Sequence, residues 1–399
     1  MSDPCDRADV AIEGLNMQIP LFKVLMAPEA TAAVGSVLES GHIAQGAIVD
    51  QFEQELHHSL DLYPDQTPLT VNSGTSALHL AMHLAGVGPG DDVCITPMTC
   101  AASVIPIVHL GARPIWIDVD PVTGLMDPKS LQERITPTTK AIVTVDWAGT
   151  PCDYEALHAV KRSVGRRISV VQDAAHAMFA RDAKGAIGRT AYERNHYICW
   201  SLQAIKTLTT GDGGILLTQP WRTADARLLR WFGLDRTSNK DFRCAQDIVE
   251  AGYKFHMNDI AAAIGLANLA AARSAVERHR ANAKRYCDEL VDLTPLHDTS
   301  GRGVVVPPWH PGSSWWIYTI LVDDRVAFQE YMQSQRITTS QVHRRNDEHT
   351  AFRHAAGKQA PLPGLDQFAS RQVSIPVGWW VSDDDATRII AAVREWARR

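Results

Sequence analysis

Two reactive side chains each follow an apolar stretch near the middle of the chain. Asp173 directly follows residues 168–172, a run rich in β-branched side chains that is typical of a buried strand. Lys206 follows the apolar residues 196–202 and precedes a glycine-rich turn at 211–214. A lysine in apolar surroundings can lose its proton at a usable pH and attack a carbonyl, and a carboxylate can keep a pyridine nitrogen protonated. The pair therefore indicates amine–carbonyl chemistry on a heterocyclic cofactor.

Pyridoxal phosphate (PLP) meets both requirements, because its aldehyde needs an amine anchor and its ring acts as an electron sink. Its phosphate needs a third feature. Residues 68–84 read as a strand, a tight turn at Ser73-Gly74-Thr75 and a helix. Backbone N–H groups and the helix dipole at such a helix start attract an anion. We therefore predict a phosphate site at Gly74 and Thr75, on the sheet edge that carries the acid and the amine.

The flanking sequence alternates strand and helix patterns, which must position these groups. Strands are predicted at 68–72, 92–96, 114–118, 140–146 and 168–173 and within the apolar run that leads from 196 to Lys206, with helices between several of them. The alternation predicts an α/β fold with a mostly parallel sheet between helices. We expect a large N-terminal domain at 1–270 and a smaller C-terminal α+β domain at 271–399.

Composition narrows the class of protein. The chain has 399 residues, 45% of them hydrophobic, and a formal net charge of -6. This mild acidity argues against a dedicated nucleic-acid or membrane surface and favours small-molecule substrates. We saw no apolar run long enough to span a membrane and no targeting pattern at the N-terminus, so we expect a cytoplasmic protein. The seven cysteines include no CxxC pair, which favours free thiols.

The combined motifs resemble the DegT/DnrJ/EryC1/StrS family, fold-type-I PLP enzymes that aminate nucleotide-linked keto sugars. The resemblance spans residues 18 to about 270 and becomes loose in the last third of the chain. It rests on residues 73–78, the strand end at 172–176, Ser201 placed five residues before Lys206, the turn at 211–214, and residues 252–259.

The resemblance implies Lys206 and Asp173 as the catalytic residues and glutamate and a keto sugar as the substrates. It also implies a set of cofactor-binding residues, namely Gly74, Thr75, Cys100, Asp173, His176, Ser201, Gln203, Lys206 and Lys254. Lys254 would reach the phosphate in the neighbouring subunit, where many relatives carry asparagine, so a homodimer with a shared site is expected. His343 and His349 lie six residues apart, but no third ligand is suitably spaced, and no metal is expected.

One position departs from the family pattern. Relatives place an aromatic ring two to four residues after a proline, where it stacks on the cofactor. Residues 97–102 contain no aromatic side chain. Stacking would then fall to Thr99, Cys100 or a ring from elsewhere, such as Trp147.

Other segments leave two interpretations open. Arg230 and Arg236 could bind a diphosphate or carboxylate, although a helix end followed by a surface turn is the favoured interpretation. Two segments of the C-terminal third, at 314–316 and 342–349, could touch substrate.

The function also has alternatives. A deoxysugar dehydratase shares the fold and the cofactor, but known relatives of that kind carry histidine in place of Lys206. A transaminase acting on a cyclitol or another ketone remains open. A non-catalytic PLP-binding protein is disfavoured, because such proteins usually lack the lysine or carry a DNA-binding domain.

Overall fold

The computed structural model describes residues 18–192, 195–236, 246–294 and 303–399. The strands are β1 (Pro68–Val71), β2 (Asp92–Ile95), β3 (Arg113–Trp116), β4 (Thr139–Val145), β5 (Ser169–Asp173), β6 (Arg181–Asp182), β7 (Gly185–Ala186), β8 (His196–Ser201), β9 (Gly214–Leu217), β10 (Val304–Val305), β11 (Tyr318–Val322) and β12 (Gln372–Ile375). The α-helices are α1 (Ala30–Ser40), α2 (Ala47–Ser59), α3 (Gly74–Leu84), α4 (Ala101–His109), α5 (Pro128–Arg134), α6 (Tyr154–Ser163), α7 (Thr223–Arg230), α8 (Asp259–Leu290), α9 (Arg325–Ser334), α10 (Thr350–Ala356), α11 (Pro363–Arg371) and α12 (Asp383–Ala397).

Seven strands form the central sheet in the order β1-β9-β8-β5-β4-β2-β3. β9 runs antiparallel to both of its neighbours, while the pairs β8–β5, β5–β4, β4–β2 and β2–β3 are parallel. Every strand of this sheet except β9 therefore points the same way, which confirms the prediction of a mostly parallel sheet. The carboxyl ends of β1, β2, β4, β5 and β8 consequently meet at one edge, and the loops that follow them carry the predicted site.

Helices cover both faces of this sheet. Neighbouring residues of a strand point to opposite faces, so each strand contributes side chains to a buried cluster on either side. Val143 and Val171 pack with α3 and α4 in one buried cluster. The residues beside them in sequence, Ile142 and Val170, pack with Leu157 of α6 in another. Strands buried on both faces read as continuous apolar runs, as seen in the sequence.

The C-terminal part contains a three-stranded antiparallel sheet, β10-β11-β12, packed with α9 and α12. This α+β unit has its own buried cluster, which also includes Ile19 from the start of the described chain. The division predicted at residue 270 falls inside α8. Leu269 of that helix belongs to a cluster of the large unit and Tyr286 to the cluster of the small one, so one continuous helix joins both cores.

The helical segment Asp259–Leu293 is long and apolar enough to cross a membrane, judged by length and composition alone. Such a segment was not predicted from the sequence. Half of its most apolar window is buried inside the protein. α8 packs against α1, α2 and α12, as expected of the core helix of a folded domain.

Candidate functional site

Asp173 is the last residue of β5 and is buried at the sheet edge. The Ser103 hydroxyl on α4 donates a hydrogen bond to its Oδ2 at 2.6 Å, and the backbone N–H of Ala175 donates to its Oδ1 at 3.0 Å. Burial raises the pKa of this carboxyl, while those two hydrogen bonds and the positive charge of Lys206 oppose the rise. The site therefore holds an acid whose charge depends on a few named partners.

Lys206 lies in the turn after β8, where its backbone N–H donates to the carbonyl of Gln203 at 2.8 Å. Its Nζ lies 3.7 Å from the centre of the Trp316 ring. Burial lowers the pKa of the amine from its usual 10.5 to about 8, and the charge of Asp173 partly opposes this. Such an amine is neutral in a large fraction of molecules at mildly alkaline pH, as a nucleophile requires.

His176 completes this part of the site from the loop after β5. Its ring stacks on Trp316, with centroids 4.1 Å apart and planes inclined by 27°. Its Nδ1 is buried and has no hydrogen-bond partner among the described residues. Burial and the charge of Lys206 lower its pKa well below 6.5, so the ring is neutral. A neutral imidazole with one unsatisfied nitrogen is suited to an oxygen atom of a bound group.

The predicted phosphate site forms where β1 meets α3. The Ser73 hydroxyl caps α3 by accepting from the Ser76 N–H at 3.1 Å, which leaves the N–H groups of Gly74 and Thr75 in the first turn. A Cβ on Gly74 would lie 2.9 Å from the Cβ of Ser201, so the strand end of β8 lies directly against the helix start. Gly74, Thr75 and Ser201 are thereby brought together.

The remaining predicted residues differ in position. The exposed Gln203 accepts a hydrogen bond from the Ile205 N–H through its Oε1 at 3.0 Å and so shapes the turn that carries Lys206. Cys100 precedes α4, has an exposed thiol, and is close enough to Lys206 to influence the amine electrostatically. Lys254 is exposed, with its Nζ 4.9 Å from the Trp231 ring centre. Its role toward a neighbouring subunit remains a prediction.

The stacking candidates are now distinguished by their surroundings. Thr99 is buried, and its hydroxyl lies 2.7 Å from that of Ser103. Trp147 is buried too and meets His176 edge-on, with centroids 5.8 Å apart. Among the three candidates, Cys100 is the exposed one, and its contact with a cofactor ring remains a prediction.

Three residues outside the predicted cofactor-binding set lie at the site: Trp147, which follows β4, and Trp316 and His343 in the C-terminal third. Each of them adjoins a non-glycine residue in the left-handed region, namely Ala148 (φ 60°), Trp315 (φ 50°) and Val342 (φ 61°). Such conformations cost about 1–3 kcal/mol and cluster at functional sites. Trp316 and His343, which belong to the two C-terminal segments that could touch substrate, both lie near Lys206.

Gly149 joins the small unit to this site. It has φ 96°, and an added Cβ would lie 2.8 Å from the carbonyl oxygen of His176. Its own carbonyl accepts from the Ser314 N–H at 3.0 Å, and the Ser314 hydroxyl donates to the His176 carbonyl at 2.7 Å. The chain entering β11 is thus fixed to the loop after β5, which places Trp316 over Lys206.

The basic residues at and after the end of α7 have partners within the chain. Arg230, the last residue of α7, is buried and pairs with Glu53 at 2.5 Å. Arg236 donates to the carbonyl of Gln45 at 3.0 Å and lies over the ring of Trp231. Within the described residues, no group of three or more His, Cys, Asp or Glu side chains is arranged to bind a metal.

These groups together fit PLP. Asp173 suits the pyridine nitrogen, the unsatisfied Nδ1 of His176 suits the ring oxygen, the amine of Lys206 suits the aldehyde, and the start of α3 at Gly74 suits the phosphate. Ser103, which supports the acid, was not predicted. Its only sequence signal is a hydroxyl one turn into the helix that follows β2.

Comparison with known proteins agrees with this chemistry. A sequence model of the DegT/DnrJ/EryC1/StrS aminotransferase family matches residues 25–394. The spore coat polysaccharide biosynthesis protein SpsC of Bacillus subtilis (strain 168) is 30% identical, covering 96% of this chain and 98% of that protein. The sugar aminotransferase CalS13 from Micromonospora echinospora is 37% identical with a TM-score of 0.85, covering 94% of this chain and 99% of its own. AtS13 from Actinomadura melliaura is 38% identical with the same TM-score of 0.85, over 95% and 99% of the two chains. The chain therefore belongs to the DegT/DnrJ/EryC1/StrS aminotransferase family and is a PLP-dependent aminotransferase.

Proposed function

We propose that this enzyme transfers the amino group of glutamate to a nucleotide-linked keto sugar. The reaction would take place in the cytoplasm and serve amino-sugar biosynthesis. The observation that carries the proposal is the placement of a buried acid, Asp173, and an amine with a lowered pKa, Lys206, close enough to interact electrostatically. Support for a sugar acceptor comes from the relatives, since CalS13 is described as a sugar aminotransferase and SpsC as a polysaccharide biosynthesis protein.

Lys206 is the proposed acid–base residue. Its amine would take the proton from the α-carbon of the donor and deliver it to the carbon that was the cofactor's aldehyde, and it would make the same two transfers in reverse order on the sugar. A pKa of about 8 suits both directions, because neither protonation state is strongly disfavoured near neutral pH. Trp316 shields the amine from water on one side.

Asp173 is proposed to hold the proton on the pyridine nitrogen, with Ser103 and the Ala175 N–H keeping the carboxylate ionised and oriented. When bound, PLP supplies an electron-withdrawing ring that stabilises the negative charge left by proton removal. His176 is proposed to contact the ring oxygen through Nδ1.

The phosphate is proposed to lie against the N–H groups of Gly74 and Thr75 and the hydroxyl of Ser201. We further propose that the enzyme is a homodimer in which Lys254 of one subunit reaches the phosphate held by the other. A compact ammonium group suits a phosphate as a point charge. The exposed position of Lys254 is compatible with this role.

The proposal is tested by the half-reaction with glutamate alone. Purified enzyme loaded with PLP should convert stoichiometric glutamate to 2-oxoglutarate, and borohydride should fix the cofactor on the peptide that contains Lys206. Lys206→Ala should abolish the conversion. In the wild type, addition of the correct nucleotide-linked keto sugar, found by screening, should give repeated turnover.

The control is Lys358→Ala, which removes an exposed lysine of the loop between α10 and α11 and should behave as wild type. Release of 2-oxoglutarate by Lys206→Ala at the wild-type rate would remove Lys206 from the mechanism. Turnover with cyclitol ketones but with none of the keto sugars would replace the sugar acceptor by a cyclitol.

A further inference from the structure

His343 is a site residue to which the mechanism above gives no task. It lies on the small-unit segment between α9 and α10, and its ring is nearly parallel to that of His176, inclined by 11° with centroids 5.9 Å apart. The ring also meets the edge of Trp147, with centroids 5.9 Å apart. His343 and Lys206 lie close enough to interact electrostatically. The imidazole therefore forms part of the wall around the catalytic amine.

The backbone holds this ring in place at a cost. Val342 has φ 61°, which is rarely adopted by a β-branched residue. Its N–H donates to the Ser340 hydroxyl at 3.0 Å, and Ser340 in turn pairs with Ser374 of β12 through backbone hydrogen bonds. The small sheet thus fixes the strained residue that precedes His343.

The indole nitrogens of the two tryptophans near Lys206 already have partners. Trp316 Nε1 donates to the Ile205 carbonyl at 2.9 Å, and Trp147 Nε1 donates to the Thr319 hydroxyl at 3.2 Å. His343 differs, because its Nε2 is buried and has no hydrogen-bond partner among the described residues. A buried polar atom without a partner is destabilising unless a bound group satisfies it.

We propose that His343 binds the α-carboxylate of the amino-acid donor through its Nε2–H. This inference rests on the proposed function. The α-carboxylate is attached to the same carbon whose proton Lys206 removes, so it must lie next to that amine when the donor is bound. With His176 assigned to the cofactor, the Nε2 of His343 is, within the described part of the chain, a buried and unsatisfied polar atom beside Lys206 that can receive it.

The neutral state of His343 fits this task. Burial and the charge of Lys206 lower its pKa to about 4, so at neutral pH the ring carries one N–H and one acceptor nitrogen. The tautomer with the proton on Nε2 donates to a carboxylate without adding a second positive charge beside Lys206. His343 is then a residue that positions the donor and takes no part in the proton transfer.

The test is an equilibrium titration of PLP-loaded enzyme with two donors that bind but have no α-proton to lose. 2-Methylglutamate carries both carboxylates, and 2-aminoisobutyrate carries the α-carboxylate alone. Binding is followed by the cofactor absorbance in the wild type, His343→Phe and His343→Gln. The matched control is His354→Phe, which changes an exposed histidine on α10.

His343→Phe should lower the affinity for both ligands by about tenfold, which is the effect of losing one hydrogen bond to a charged group. His343→Gln, which retains an N–H donor, should restore affinity to within about threefold of wild type, a residual loss of about 0.6 kcal/mol. His354→Phe should bind both ligands as wild type does. If the Phe variant does not fold, His343→Asn, whose amide is too short to reach, replaces it.

Unchanged affinity in His343→Phe would overturn the inference, and so would a loss confined to 2-methylglutamate, which would point to the distant carboxylate. A loss that glutamine does not restore and that accompanies a lower melting temperature would assign His343 a structural role instead. Failure of the proposed function looks different, because the wild type itself would then show no spectral response to any amino-acid donor and release no 2-oxoglutarate.

Discussion

Ser103→Ala removes the hydroxyl that donates a hydrogen bond to Asp173, the proposed catalytic acid, and changes little else. Ser103 is fully buried on α4 and donates to Asp173 Oδ2 at 2.6 Å. The Thr99 hydroxyl, 2.7 Å away, continues this chain of hydrogen bonds and stays in place in the variant. The methyl group of alanine occupies the position of the serine Cβ, so the variant introduces no clash and the perturbation is electrostatic.

The magnitude follows from the charge on the acceptor. A hydrogen bond to a charged group contributes about 1.5–3 kcal/mol, against about 0.5–1.5 kcal/mol for a neutral pair. We therefore expect Ser103→Ala to lower the free energy of unfolding of cofactor-free enzyme by about 1.5–3 kcal/mol wherever Asp173 is ionised. Because Asp173 is buried and its two oxygens have few other donors, solvent does not replace the lost bond.

The sign of the pH dependence follows from the raised pKa of Asp173. A buried carboxyl with a raised pKa contributes stability below its unfolded pKa and loses that contribution as the pH rises through the folded pKa. Ser103 opposes the rise, so its removal moves the pKa of Asp173 further upward. The stability difference between wild type and variant should therefore be small near pH 4 and should grow toward pH 8.

The assay is urea unfolding of cofactor-free protein at several pH values, with Ser163→Ala as the control. Ser163 donates to the Val160 carbonyl at 2.8 Å, a neutral hydrogen bond, so its loss should be independent of pH. In a second measurement, PLP affinity is followed as the pH is lowered. The pH at which affinity begins to fall should be higher for Ser103→Ala than for the wild type. An equal loss of stability at pH 4 and pH 8, or a fall in affinity that begins at the wild-type pH, would refute the electrostatic role of Ser103.

Two further results are expected. The rate at which borohydride traps added PLP on Lys206 should rise with pH and level off above about pH 8, because burial lowers the pKa of the amine to that value; a rate still rising near pH 10 would mean that the amine is not buried in solution. Gly74→Ala should weaken PLP binding at least about tenfold, the effect of losing one hydrogen bond to a charged phosphate, because its Cβ would lie 2.9 Å from that of Ser201. Gly35→Ala, in α1 with no heavy atom within 4 Å of the added Cβ, should leave PLP affinity unchanged, and stability should rise by about 1 kcal/mol.

The sequence was informative wherever a single element carries the signal. The strand that ends at Asp173 and the helix that begins at Gly74 are local patterns, and their order along the chain implies one sheet edge. Buried parallel strands read as apolar runs, so the main elements of the large unit could be predicted to within a few residues. β9 was not predicted as a strand, because Gly214–Leu217 is short and follows a turn already assigned to the cofactor.

The C-terminal contributions were harder to predict because they depend on where distant segments meet. Trp316 and His343 lie more than one hundred residues after Lys206 in the sequence, and nothing local to either residue shows that its ring lies near the amine. Ser103 gave a weak signal for the same reason, since only the pairing of β2 with β4 and of β4 with β5 brings α4 beside the end of β5.

By itself the sequence predicted an acid, an amine and a phosphate-binding turn at one edge of a mostly parallel sheet, because hydrophobic periodicity and turn chemistry are local properties. The tertiary structure alone decided which side chains support the acid and which aromatic rings cover the amine. Those contacts join segments far apart in the chain, and they exist only once Gly149 lets the small unit pack against the loop after β5.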